Sequence, residues 1–177
     1  VLFIHGGGSA DDYAADASLV ASLQEALGES HAVQYPFLPQ EPEPDLGRKK
    51  QIGRALSLTG GKVILAGHSL GASMLLKYLS ETRSRKQVAG LFLLAAPFWS
   101  GDEDWKQGFV LPEGFADKLP DKVPVFLYHC QDDEEVPVAH LEVYARHLPH
   151  ATVRKLPRGG HQFNNDLSLV ARDMQSL

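Results

Sequence analysis

Residues 67–71 read Gly67-His68-Ser69-Leu70-Gly71, a G-x-S-x-G pattern. The apolar run Val63-Ile64-Leu65-Ala66 stands directly before it, and Met74, Leu75, Leu76, Tyr78 and Leu79 follow at helical spacing. That setting predicts a strand, a tight turn and a helix, with the serine at the apex. The glycines leave room for a sharp bend and for close packing of helix on strand. The helix N-terminus aims free N–H groups and a partial positive charge at the serine oxygen. A serine that merely caps a helix would explain Ser69 but neither glycine. A serine hydroxyl is a poor nucleophile at neutral pH, so nucleophilic chemistry here needs a histidine base from another part of the chain.

Two later loops offer partners. Gln131-Asp132-Asp133-Glu134-Glu135-Val136-Pro137 follows the apolar run Val125–Cys130, and Pro157-Arg158-Gly159-Gly160-His161-Gln162-Phe163 follows Thr152–Leu156. With Ser69 they supply a nucleophile, an acid and a base in the chain order Ser, Asp, His. Read alone, the acidic run also fits a solvated turn, and His161 also fits a surface loop. Asp132 and Asp133 are both candidates for the acid.

Elements must bring these groups together. Apolar runs alternate with helical patterns along the whole chain, which predicts βα units and an α/β fold with a mostly parallel sheet. Strands are expected at Val1–Ile4, Ala32–Tyr35, Val63–Ala66, Val88–Ala96, Val125–Cys130 and Thr152–Leu156, six in all. Helices are expected over Tyr13–Leu27, from Asp45 to about Leu58, over Gly71–Thr82, Val138–Leu148 and Asn165–Gln175, lying on both faces of the sheet. Asp45 is expected to cap its helix, and Arg83, Arg85 and Lys86 to form a solvated helix end. In such open sheets ligands bind beyond the carboxyl ends of the strands. Ser69, the acidic loop, the histidine loop and His5-Gly6-Gly7-Gly8 all fall at such ends.

The chain of 177 residues is long enough for one domain with a real core, and residues 1–177 are taken as one domain. A net charge of −5 without a basic stripe argues against nucleic acid as a partner. No apolar stretch approaches ~18 residues, so no membrane span is expected. One cysteine, Cys130, excludes an internal disulfide and a cysteine-based zinc site, and its apolar setting predicts a buried, inert thiol. A cytoplasmic location fits that usage. The chain begins at Val1 inside a strand-like run, which suggests missing N-terminal residues or a removed leader. No His-Glu-x-x-His occurs, and His140 and His147 lie a heptad apart, so neither a metal nor another cofactor is expected.

The four signals in order, His-Gly-Gly-Gly, Gly-His-Ser-Leu-Gly, Asp-Asp-x-x-Val-Pro and Gly-Gly-His, cover nearly the whole chain. It resembles the α/β-hydrolases, and among them the compact serine hydrolases of the retinoblastoma-binding-protein type. The resemblance implies Ser69 as nucleophile, His161 as base and Asp133, three residues before the Val of Val-Pro, as the acid. It implies an oxyanion site made by the N–H groups of Leu70 and of the first glycine-rich turn, with Gly7 as the donor. Residues 97–122 occupy the place of the cap that such proteins insert over the site, here a short one. Phe98, Trp99, Trp105 and Phe109 are expected to line a substrate pocket, with His68 beside them but without a proton-transfer role; the same four aromatics also fit loop anchors that pack onto the core. His5 is expected to be structural, and His129, His140, His147 and His150 surface or core residues. The implied activity is cleavage of carboxylic esters or thioesters of a small-molecule acyl substrate through an acyl-enzyme. An amidase or perhydrolase would use the same three groups, and a binding module on a hydrolase fold would use none of them.

Overall fold

A computed structural model describes residues 1–82 and 86–177. The expected helix-end cations Arg83 and Arg85 lie outside the described residues. Five parallel strands form one sheet in the order β1 (Leu2–Ile4), β2 (Val63–His68), β3 (Val88–Leu94), β4 (Val125–Cys130) and β5 (Thr152–Leu156). The helices are α1 (Ala10–Leu27), α2 (Arg48–Ser57), α3 (Leu70–Glu81), α4 (Ala139–His147) and α5 (Ser168–Gln175).

Alternation along the strands builds two cores. Leu2, Ile4, Val63, Leu65, Leu91, Leu93, Val125 and Leu127 pack on one face with α2, α3 and α4. Phe3, Ile64, Ala66, Phe92, Leu94, Phe126 and Tyr128 pack on the other with α1 and α5. Strands β1 to β4 therefore read as nearly continuous apolar runs, as a sheet buried on both faces requires, whereas the edge strand β5, Thr-Val-Arg-Lys-Leu, is partly exposed. Helices do lie on both faces, as expected.

Among the described residues the sheet has five strands, not the expected six. Ala32–Tyr35 makes a single bridge, Gln34 to Leu2, with Phe3 N–H donating to Gln34 O at 2.9 Å and Gln34 N–H to Val1 O at 2.8 Å. Pro36 follows and brings no N–H to extend the ladder. Helix α1 starts at Ala10, three residues before the expected Tyr13, because Ser9 and Asp12 form a reciprocal capping box. Helix α5 starts at Ser168, after Phe163, Asn164 and Asn165, all at positive φ. The N-cap residue of α2 is Gly47, at φ 74°, rather than the expected Asp45; Asp45 lies two residues earlier, where its carboxylate accepts the N–H groups of Gly47 at 3.1 Å and Lys49 at 3.2 Å.

Residues 97–122 cross the carboxyl ends of the strands with two short 3₁₀ turns, Asp104–Lys106 and Phe115–Lys118. They are tied to their surroundings at several points. Trp99 Nε1–H donates to Ser73 Oγ at 3.1 Å, Phe98 N–H to His140 Nδ1 at 2.7 Å, and Tyr144 OH to Pro97 O at 2.8 Å. Cys130 is buried, and burial pushes its thiol up to about 12.

Candidate active site

The turn between β2 and α3 holds Ser69 at φ 50° and ψ −124°, a conformation that costs an L-residue about 1–3 kcal/mol. Local packing dictates that bend. A Cβ on Gly71 would overlap the carbonyl oxygens of Ile4 and His5, and one on Gly67 would come 2.8 Å from Ala72 N. Only glycines at both positions let α3 start this close to β1 and β2. Ser69 N–H donates to Leu94 O at 2.8 Å, which ties the apex to β3.

Beyond β4, Asp133 has a fully buried carboxylate with four donors around it. Oδ1 accepts the N–H groups of Glu135 and Val136, each at 2.9 Å. Oδ2 lies 2.9 Å from His161 Nδ1 and 3.3 Å from His129 Nε2. Burial opposes its charge, but the bonds from His129, His161 and Val136 outweigh burial and hold the carboxyl well below the usual carboxylate range. Asp132 instead accepts Gly160 N–H at 2.9 Å and Gly159 N–H at 3.3 Å. It shapes the loop that carries His161, and Asp133 meets the imidazole. His129 also donates to Val136 O at 2.8 Å, so this core histidine braces the acid loop.

His161 is nearly buried beyond β5. Burial would lower its pKa, but the Asp133 bond and the charges of Asp133, Glu135 and Asp16 prevail, and the pKa is raised. Its Nε2 lies 3.6 Å from Glu135 Oε2. The hydrogen bonds of the described residues join His161 to Asp133 and do not include one between His161 and Ser69. The serine and histidine loops are nevertheless tied: His68, next to Ser69, has its Nε2 3.0 Å from His161 O and its Nδ1 2.9 Å from Asp16 Oδ1.

That network corrects one expectation. His68 is 1 % exposed and does not line the pocket. It belongs to a buried polar cluster around Asp16, whose carboxylate also accepts Gly6 N–H at 2.8 Å and Gln162 Nε2–H at 3.0 Å. Burial raises the Asp16 pKa, but these donors outweigh it and the net shift is downward. The cluster clamps the glycine-rich turn, the serine turn and the histidine loop to α1.

The glycine-rich turn after β1 faces the same space. Gly6 N–H is taken by Asp16, and the N–H groups of Gly8 and Ser9 by Asp12 Oδ2, each at 2.9 Å. Gly7 N–H, at φ 51°, is the one N–H of the turn without an acceptor among the described residues. Leu70 N–H, at the first position of α3, also has none. Gly7, Leu70 and Ser69 line one cleft of about 930 Å³, together with Phe98, Trp99, Trp105 and Phe109. Trp99, Trp105 and Phe109 contact one another at ring-centroid distances of 5.1–6.3 Å and form an apolar wall. Among the described residues no cluster of His, Cys, Asp or Glu is arranged to hold a metal ion. No helix among them is long and apolar enough to cross a membrane.

Sequence reasoning missed Asp16 and His129 as partners, and passed over Arg48 altogether. Asp16 lay hidden in the polar-looking run Ala10-Asp11-Asp12-Tyr13-Ala14-Ala15-Asp16. Its one signal is its place on the buried stripe of α1 that Leu19, Val20 and Leu23 continue. Arg48 carries a similar signal, being followed at helical spacing by the buried Ile52 and Leu56.

A parallel sheet with helices on both faces, a strand–serine–helix turn and a histidine–acid pair beyond the last strands define an α/β-hydrolase. Solved structures share this fold over 99 % of the chain. A protein described as a hydrolase of the alpha/beta superfamily from Xanthomonas campestris pv. campestris matches with a TM-score of 0.66 and 23 % identity, covering 98 % of that chain. The ydeN gene product from B. subtilis matches at 0.74 and 17 %, covering 96 % of its chain, and the thioesterase domain from the curacin biosynthetic pathway at 0.73 and 15 %, covering 90 %. No curated protein sequence matches this one significantly. The chain belongs to the serine hydrolase family, whose sequence profile matches residues 19–168.

Proposed function

We propose that this protein cleaves carboxylic esters or thioesters through a covalent acyl-enzyme on Ser69. The observation that carries the reading is the buried Asp133–His161 pair at 2.9 Å, held beside a serine at a strained turn. His161 Nδ1–H donates to the carboxylate, which leaves Nε2 with a lone pair to take a proton. When the ring swings away from Glu135, Nε2 accepts the Ser69 proton as Oγ attacks the substrate carbonyl. The resulting oxyanion is held by the N–H groups of Gly7 and Leu70. His161 then gives its proton to the departing alcohol or thiol. Water repeats the cycle on the acyl-enzyme and releases the acid. Residues 97–122 act as a short cap whose Trp99, Trp105 and Phe109 hold the apolar part of the substrate in an open cleft. The thioesterase and hydrolase descriptions of structural neighbours agree with this class of reaction.

The test is turnover of a panel of p-nitrophenyl esters, acyl-CoAs and amides by the wild type and Ser69→Ala. Hydrolysis of activated esters that falls by several powers of ten in the variant is expected. Equal turnover in the two would refute the assignment.

A further inference from the structure

The glycine-rich turn is braced from behind by two buried side chains, and one of them carries an unneutralised charge. We propose that Arg48 is a positioning residue for the oxyanion site, fixing the Gly7 turn and placing a positive charge in its wall. The inference rests on reading Gly7 as an oxyanion donor.

Arg48 opens α2 and is 0 % exposed, on the stripe that Ile52 and Leu56 continue into the core. An apolar side chain would fill that place without the cost of burying a guanidinium. Among the described residues Arg48 has no ion-pair partner. Its Nη1 donates to Leu38 O at 2.9 Å, its Nη2 to Gly7 O, and its Nε is buried without a hydrogen-bond partner. Asp12 and Asp45 act on it only at longer range, and burial pulls its pKa down to about 10, so it stays charged at neutral pH.

His5 completes the brace. Its Nε2 accepts Leu38 N–H at 3.0 Å, so the proton sits on Nδ1, which donates to Gly6 O at 2.6 Å. Two successive carbonyls, Gly6 and Gly7, are therefore held from the rear. In a trans peptide the N–H points opposite the carbonyl. Pinning Gly6 O thus directs Gly7 N–H toward the cleft that Ser69 lines. A hydrogen bond to the carbonyl also polarises the same peptide and strengthens its N–H as a donor. One peptide further on, the Arg48 charge sits in a buried, low-dielectric wall where it favours negative charge developing in front of the turn. Such a device acts on the transition state and leaves ground-state binding nearly untouched.

The test pairs Arg48→Gln, which keeps an amide donor and removes the charge, with Arg48→Lys, which keeps the charge. Each is checked for cooperative melting, then assayed for kcat and KM on an activated ester and for affinity toward a phenylboronic acid, which forms a tetrahedral anion on the serine. For Arg48→Gln, kcat should fall about 10- to 100-fold with KM within about 3-fold, and boronate affinity should fall by a similar factor. Arg48→Lys should recover most of both. A folded Arg48→Gln with kcat and boronate affinity within about 2-fold of wild type would overturn the inference, as would a Lys variant no better than Gln. If neither variant melts cooperatively, His5→Gln tests the same brace: the same kcat-selective loss supports it and unchanged kcat overturns it. Wild-type protein without ester turnover would instead remove the proposed function, and this inference with it.

Discussion

Asp133→Asn probes the pair on which the mechanism turns, and the structure sets both its direction and its size. The side chain has no spare lone pairs: Oδ1 faces two backbone N–H groups, and Oδ2 faces His161 Nδ1 and His129 Nε2. An asparagine must keep its carbonyl oxygen toward the two backbone donors, so its NH2 replaces Oδ2 and points at His161 Nδ1. The imidazole then accepts at Nδ1 and carries its proton on Nε2, the tautomer that cannot take a proton from Ser69. In a serine protease with the same three groups this exchange lowers kcat about 10⁴-fold, equivalent to about 5.4 kcal/mol. The stability loss should be smaller, about 1.5–3 kcal/mol, because the backbone bonds survive and only charge-assisted side-chain bonds are lost. The assay is kcat/KM on an activated ester beside a denaturant melt. The pH dependence of the melt adds a second reading. Asp133 has a depressed folded pKa, so its stabilisation is present above the unfolded aspartate pKa and is lost as pH falls toward the folded value. The Asn variant should lack that acid-side loss. A folded Asp133→Asn enzyme that keeps more than a tenth of wild-type kcat/KM would refute the orienting role.

Three further outcomes follow from the same geometry. Because the His161 pKa is raised and the base works only when neutral, the acidic limb of kcat/KM should lie above the ordinary histidine value of 6.5, and Glu135→Gln should move it to lower pH; a limb unmoved by that change would separate Glu135 from the base. Gly71→Ala should cost about 3 kcal/mol or more in denaturant melts, since its Cβ meets the Ile4 and His5 carbonyls, and a midpoint shift equivalent to under about 1 kcal/mol would contradict that packing. Ser69→Gly and Ser69→Ala should be equally inactive, but the glycine variant should be the more stable by roughly 0.5–2 kcal/mol, because it relieves the positive φ that alanine keeps; equal melting points would show that the turn stores no strain.

The parts of the site coded by neighbouring residues were legible in the sequence. The strand–glycine–serine–glycine–helix order announced the strained turn, and the resemblance placed Asp133, rather than Asp132, against His161. Phe98, Trp99, Trp105 and Phe109 do reach the cleft. What escaped was coded mainly by pairs distant in sequence, Asp16 with His68 and Arg48 with Gly7; His129 and Asp133 are only four residues apart, but the strand end and turn between them follow no helical or strand spacing that would pair their side chains. Such buried polar residues look like surface residues when only local spacing is read. The position of His68 beside Ser69 points to the pocket, yet its ring turns inward because Asp16 lies behind it. The sixth strand failed for a local reason, since Pro36 ends its pairing after one bridge.

Reaction with a fluorophosphonate, followed by peptide mass spectrometry of the adduct, tests the central claim most directly. The account predicts a single covalent adduct on Ser69, formed fast in the wild type and about 10⁴-fold or more slowly in Asp133→Asn. Folded, monodisperse wild-type protein that forms no adduct, or forms it on another residue, would contradict it.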